Sequence, residues 1–307
     1  MYQFRTFSSS VGIFGNVARL FRWDRSGSIV SKPIMFTEKG NRELSEFFYR
    51  FNLADPAQRG WDPTVSETTP EEAAAFDQVV SAAAGEGKNQ LFKRLFGSVG
   101  DNVRYPRKKV EVIHPSGRQT PYIIGRSTVS PEVPTGRCTR GFVAMDTDTR
   151  KVVFLKDSWR PNAPGMKSES HWHRIVEGTR NIAAFSHGSD VGRVVPRRGV
   201  RAGVKPQLTI SQNDGRRHYG IAAMMGYIHY RTIQCEFYLP LKTFKDSRQL
   251  TEVMYDILLG EKHPFNLGTV HHSSAFAQRW KTFTKRESFI RISAITTLWL
   301  PSTVGVV

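Results

Sequence analysis

The stretch TGRCTRGFVAMDTDTRKVVFLKDSW, Thr135 to Trp159, sets a glycine turn beside two apolar runs, the second of which ends on a lysine. The runs Gly141 to Met145 and Val152 to Lys156 predict two strands joined by a polar turn. A lysine at a strand end reads either as a solvated charge or as a cation placed to meet a phosphate.

Outward from this stretch, Val110 to His114 and Pro121 to Gly125 predict two earlier strands around a Pro115-Ser116-Gly117 turn. Downstream come a helical segment with Trp172, Ile175 and Val176, an apolar piece at Ile182 to Phe185, and a strand from Ile228 to Tyr238. Leu250, Val253, Met254, Ile257 and Leu258 then form a helical stripe opened by Asp246 and Ser247. Toward the N-terminus, Val17 to Asp24 and Ser28 to Ile34 predict a hairpin whose turn holds Gly27. Leu44, Phe47, Phe48 and Phe51 recur at helical spacing, giving a helix from about Arg42 to Leu53. Thr69-Pro70-Glu71-Glu72 carries a capping threonine, a proline at the first helical position and a glutamate three residues after the cap, opening a helix to about Ala84. The polar stretch from Gly85 to Arg107 reads as a linker or loop. The fold class is α+β: an N-terminal α/β region over about 1–105, followed over 108–258 by an antiparallel sheet with helices.

The 307 residues carry 44 Lys and Arg against 27 acids, a net charge of +17. Such an excess favours polyanionic partners such as nucleic acid, nucleotide phosphates or acidic surfaces, and charge alone does not distinguish among them. Seven of the cations lie between Arg193 and Arg217 against the single acid Asp214, and residues 190–220 read as a basic, flexible, solvated insertion. Two cysteines, Cys138 and Cys235, cannot build a disulfide framework and point to an intracellular setting, cytoplasm or nucleus. No apolar run approaches a membrane span. The first 23 residues contain arginines, serines and no acid, as in a transit peptide, but their alternation predicts strands. His171 and His173 stand two apart and lack a third ligand at zinc spacing. Asp24 with Glu38 and Glu43 lacks the strand lysine that would complete a nuclease site.

Four patches resemble the fungal-type protein kinase family: GIFGNVARLFRWDRSGSIVS (Gly12 to Ser31), RGWDPTV (Arg59 to Val65), GRCTRGFVA with VVFLKDSW (Gly136 to Trp159), and HYR with LKTFKDSRQL (His229 to Leu250). The order glycine turn, strand, lysine, helix, strand, helix resembles a protein kinase small lobe running to the hinge and first large-lobe helix. That resemblance implies ATP and magnesium as cofactors and a protein hydroxyl as phosphoryl acceptor. It further implies that Gly136 and Gly141 approach the phosphates and that Lys156 contacts them while Glu169 holds its ammonium, with Glu177 as a rival. Val143 and Ala144 would roof the adenine. Cys235 to Tyr238, with Glu236 and Tyr238, would be the hinge.

Beyond Leu258 the resemblance stops. The family's His-Arg-Asp loop, its downstream asparagine and its metal-binding aspartate do not appear, and no aspartate follows Asp256. A positioned acid or base is worth roughly 10² to 10⁴ in rate, so no catalytic residue and no magnesium site are expected in this chain. Read back into codons and shifted by one base, RESFIRISAITTLW (Arg286 to Trp299) permits a sequence close to the missing catalytic loop. Residues 259–307 therefore read as a degenerate or out-of-frame tail on a truncated kinase homologue. A non-catalytic nucleotide- or partner-binding module and a basic nucleic-acid binder are the alternatives.

Overall fold

A computed structural model describes residues 3–37, 42–86, 95–97, 99–131, 133–177, 184–197, 200–213, 224–237, 244 and 246–260. They fall into two compact units, one within 1–172 and 185–235, the other within 173–184 and 236–307. Helices combine with antiparallel sheets, an α+β fold.

The first unit is built on a seven-stranded sheet in the order β10-β13-β9-β8-β7-β6-β5. Its strands are β5 (Val65–Glu67), β6 (Lys108–Ile113), β7 (Gln119–Val129), β8 (Arg140–Asp146), β9 (Val152–Pro161), β10 (Phe185–Asp190) and β13 (Tyr227–Gln234). The sheet curls until β10 stands beside β6. One face encloses Phe4, Val110, Val112, Tyr122, Ile124, Phe142, Ala144, Leu155 and Ile233 as a continuous core. Strand β9 outruns its expected end at Lys156. Every residue from Leu155 to Trp159 is buried, on both faces of the strand, and pairing with β13 continues to Pro161.

A second sheet carries β1 (Ser8–Phe14), β2 (Val17–Asp24), β3 (Gly27–Val30) and the short β4 (Ile34–Met35). The predicted hairpin is β2–β3, with Asp24 opposite Gly27 at its tip. Helix α1 (Glu43–Leu53) follows, with no buried residue, and then α2 (Pro70–Glu86), whose Ala73, Phe76 and Val80 are buried. The capping box forms as expected: Thr69 N–H donates to Glu72 Oε2 at 2.9 Å, and Glu72 N–H donates to Thr69 Oγ1 at 3.2 Å. Thr69→Ala should therefore cost about 1 kcal/mol in chemical denaturation.

Two expected loops are better built than their composition suggests. The polar stretch before β6 ends on Arg107, which is buried. Its guanidinium donates to Asp77 Oδ1 and to the carbonyls of Val99 and Gly100, closing residues 99–107 onto α2. The basic stretch 190–220 contains an antiparallel hairpin of β11 (Gly192–Arg197) and β12 (Val200–Pro206). Valines at 194, 195, 200 and 204 supply its strand pattern, while Arg193 and Lys205, paired across it, keep their charges in solvent.

In the second unit, α4 (Ser247–Gly260) starts where Asp246 Oδ1 accepts from Gln249 N–H at 2.8 Å, and Val253 is buried. Residues 261–307, on which the degenerate-tail reading falls, lie outside the described residues.

Candidate functional site

Lys156 lies in the middle of the curled sheet, opposite Gly141 on β8 and Thr232 on β13. Helix α3 (Glu169–Ile175) brings Glu169 to it, and the Lys156 ammonium donates to both carboxylate oxygens at 3.0 and 2.8 Å. The side chains are only 10% and 9% exposed. Burial pulls the Lys156 pKa down, Glu169 opposes that fall, and the charge of Arg137 adds to it. A cation buried this deeply stays charged only because an acid is paired with it. Between the two glutamates offered by the sequence, the first residue of the helix is the partner. Glu177 lies beyond the helix end and is exposed.

The glycine turn is fastened rather than open. Gly136 takes a positive φ of 81° and aims its N–H at the Arg25 carbonyl, 2.8 Å away, while Arg25 Nη1 donates to the Pro134 carbonyl at 2.9 Å. The tip of the β2–β3 hairpin thus grips the turn from both ends. Cys138, also at positive φ, points its thiol at the Pro134 carbonyl at 3.1 Å, and burial pushes that thiol's pKa up. Arg25→Ala removes the side-chain grip and should speed hydrogen exchange of the Gly136 amide about tenfold or more, read by NMR or mass spectrometry.

Several expected roles change with this geometry. The Gly136 N–H is directed at Arg25 and not at a phosphate. Gly141 lacks a side chain because the Phe154 ring stands 2.6 Å and Val129 Cγ2 3.3 Å from where a Cβ would be. Val143 and Ala144 cannot form one ceiling. Successive strand residues face opposite sides, so Val143 shares the face of Gly141 and Lys156 while Ala144 lies in the core, and both are completely buried. Glu236 belongs to the second unit, where its Oε2 accepts from Ala184 N–H at 3.0 Å. Tyr238 lies outside the described residues.

On the opposite face of β9 the sheet holds a buried charge network. Arg231 is 0% exposed; its guanidinium donates to Asp157 Oδ2 at 2.9 Å, and to Asp62 Oδ2, Thr64 Oγ1 and the Glu111 carbonyl at 2.8 Å each. Arg140 reaches Asp157 Oδ1 at 3.2 Å. His229 lies between Gln207 Oε1 at 2.6 Å and Asp157 Oδ1 at 3.1 Å, its ring stacked on Trp159 at 4.6 Å. Burial alone would raise the carboxyl pKa of Asp157, but His229, Arg140 and Arg231 hold it well below the ordinary range. The network explains why RGWDPTV, KDSW and HYR read as motifs: Asp62, Asp157, His229 and Arg231 are mutual partners. Sequence reasoning missed it. Its signal is charged residues at inward positions of otherwise apolar strands.

Asp24, considered as a nuclease carboxylate, is buried and accepts from the amides of Ile210 and Ser211 at 2.8 and 3.0 Å; it anchors the hairpin. Among the described residues no group of three or more His, Cys, Asp or Glu is placed to hold a metal ion. The buried Lys156 ammonium does fit a nucleotide phosphate, as the point cation that such groups meet in phosphoryl-transfer sites. Among the described residues no helix is long and apolar enough to cross a membrane.

A family model described as fungal protein kinase matches residues 3–272. No curated protein and no solved structure matches the chain.

Proposed function

This chain belongs to the fungal protein kinase family, and on that premise we propose that its first compact unit binds ATP through Lys156 without itself transferring the phosphoryl group. The observation that carries this reading is the buried, two-oxygen pairing of Lys156 with Glu169. Lysine so held presents its charge in one place, and low-dielectric surroundings strengthen its attraction for phosphate. ATP-dependent phosphorylation of protein hydroxyls is the family function that the resemblance implies. Against turnover by this chain stands its own sequence, which contains no His-Arg-Asp loop and no aspartate after Asp256. Without that loop and that aspartate, the chain lacks the family's acid-base group and its means of neutralising charge on a transferring phosphoryl group, and Lys156 alone serves binding.

Thermal unfolding with and without ATP tests the binding. At about 100 times the Kd a ligand specific to the native state adds about 2.7 kcal/mol, a readable rise in Tm for the wild type. Lys156→Ala should abolish the rise. Reading the ATP-induced shift within each variant keeps a lower starting stability from imitating lost binding. A wild type with no shift, with or without magnesium, would rule out nucleotide binding. Phosphate transfer from labelled ATP by the wild type and not by Lys156→Ala would rule out the non-catalytic reading.

A further inference from the structure

β1 is the outer strand of the N-terminal sheet, paired with β2 on one side only. Its register runs unbroken from Ser8 opposite Trp23 to Phe14 opposite Val17, so no bulge turns the edge away. Its sequence, SSSVGIF, contains no charge and no proline, and none of its residues is buried. Charges, prolines and bulges are the devices by which soluble proteins blunt an open edge, and this edge has none of them. Among the described residues no other strand or backbone hydrogen bond covers its outer side.

The face that β1 shares with β2 is aromatic. The Phe21 and Trp23 rings lie 5.5 Å apart and 12° from parallel. Ring edges of Phe14 and Phe21 close over Gly12, 2.9 and 3.0 Å from where its Cβ would stand, and make the row continuous. Phe14 is 62% exposed, Trp23 45% and Val30, opposite Phe21, 42%. The surrounding charge is one-sided. Residues 3–37 contain Arg5, Arg19, Arg22, Arg25 and Lys32 against Asp24 alone, and that carboxylate is buried, accepting from the amides of Ile210 and Ser211 and pairing with Arg22 at 3.4 Å.

We propose that the edge of β1 is a docking site for an extended, acidic segment of a partner protein, which adds to the sheet as a further strand. Backbone pairing along the edge provides affinity, and alternate apolar side chains of the segment rest on the Phe14, Phe21 and Trp23 row. Its acidic residues are drawn to the basic sheet, where Arg19 stands on the aromatic face and Arg22 on the other, and set partner choice. The site needs nothing from Lys156, so it stands or falls independently of nucleotide binding.

The probe is a fluorescein-labelled peptide of about eight residues, a common strand length, alternating glutamate with valine and tyrosine. Its controls carry lysine in place of glutamate, or proline at the centre. With the full chain, the glutamate peptide should bind about tenfold or more tighter than either control and slow amide exchange within residues 8–14. Phe14→Ser should weaken it severalfold at unchanged Tm, the ring being exposed. Equal binding of the three peptides, or protection outside residues 8–14, would overturn the proposal. So would an oligothymidylate protecting residues 8–14 where the peptide does not, since the occupant would then be single-stranded nucleic acid. Concentration-dependent protection of the protein alone would assign the edge to a second copy and overturn it equally.

Discussion

Replacing Arg231 by methionine should destabilise the first compact unit by about 3–5 kcal/mol, the cost of stranding buried charges. Arg231 is completely buried and bridges Asp62, from the segment before β5, to Asp157 on β9, while also serving Thr64 and the Glu111 carbonyl. Burial by itself would lower the pKa of the guanidinium, but the two aspartates outweigh it and the net shift is upward. Methionine matches the stem in volume and leaves two carboxylates with fewer cations around them. The loss is therefore electrostatic and not a cavity effect. Arg231→Lys keeps the charge but has no planar fork to reach four acceptors, so it should recover only part of the stability. Urea unfolding reads both variants: the midpoint should fall while the slope stays near that of the wild type. A methionine variant within about 1 kcal/mol of wild type would show that the network is not what holds β9 in place.

The same residues show how far the sequence could be read. The β2–β3 hairpin, helices α1 and α2 and strands β6 to β9 follow from period and capping, because each signal is local: the box at Thr69 and Glu72, the glycine tip of β2–β3, the apolar alternation of β8; β5, β10 and the β11–β12 hairpin do not. The partner of Lys156 comes from the family resemblance, which names Glu169 and leaves Glu177 as a rival; the geometry of α3 decides between them. What could not be read is what depends on contacts distant in sequence. Nothing near Gly136 says that its N–H will meet the Arg25 carbonyl, and nothing near Gly141 says that Phe154 will fill its empty side-chain space. A family pattern marks both as glycine for phosphate approach, whereas the packing gives each a structural reason. Asp62 and Arg231 are a further case: the patches that hold them were visible as words, but their meaning is a pairing across 169 positions.

Acid should weaken this fold in two separate windows, and the sign follows from which state binds the proton. The His187 ring is 4% exposed and meets His114 edge to face, with centroids 4.9 Å apart. Tyr122 lies 6.3 Å away, and Ser186 Oγ is hydrogen-bonded to Nδ1. Burial, helped by the charge of His114 and opposed by Asp146, lowers its pKa from 6.5 to about 4. Between these values the unfolded chain takes up a proton that the native state refuses, so stability is fully present above pH 6.5 and falls as pH drops toward 4. Allowing for the solvent that still screens the ring, the loss is about 2 kcal/mol. Asp62 and Asp157 act lower. Burial would raise both carboxyls, but Arg231 and His229 at Asp62, and His229, Arg140 and Arg231 at Asp157, hold them below the ordinary 3.8. Their contribution is present above that value and disappears only in stronger acid. His187→Phe fills the same space without a titrating group. Urea midpoints measured at pH 7.5, 5.5 and 4.5 should fall for the wild type and stay nearly level for the variant, while both collapse together below pH 3.8. Parallel loss in both proteins over the upper window would move its origin away from His187.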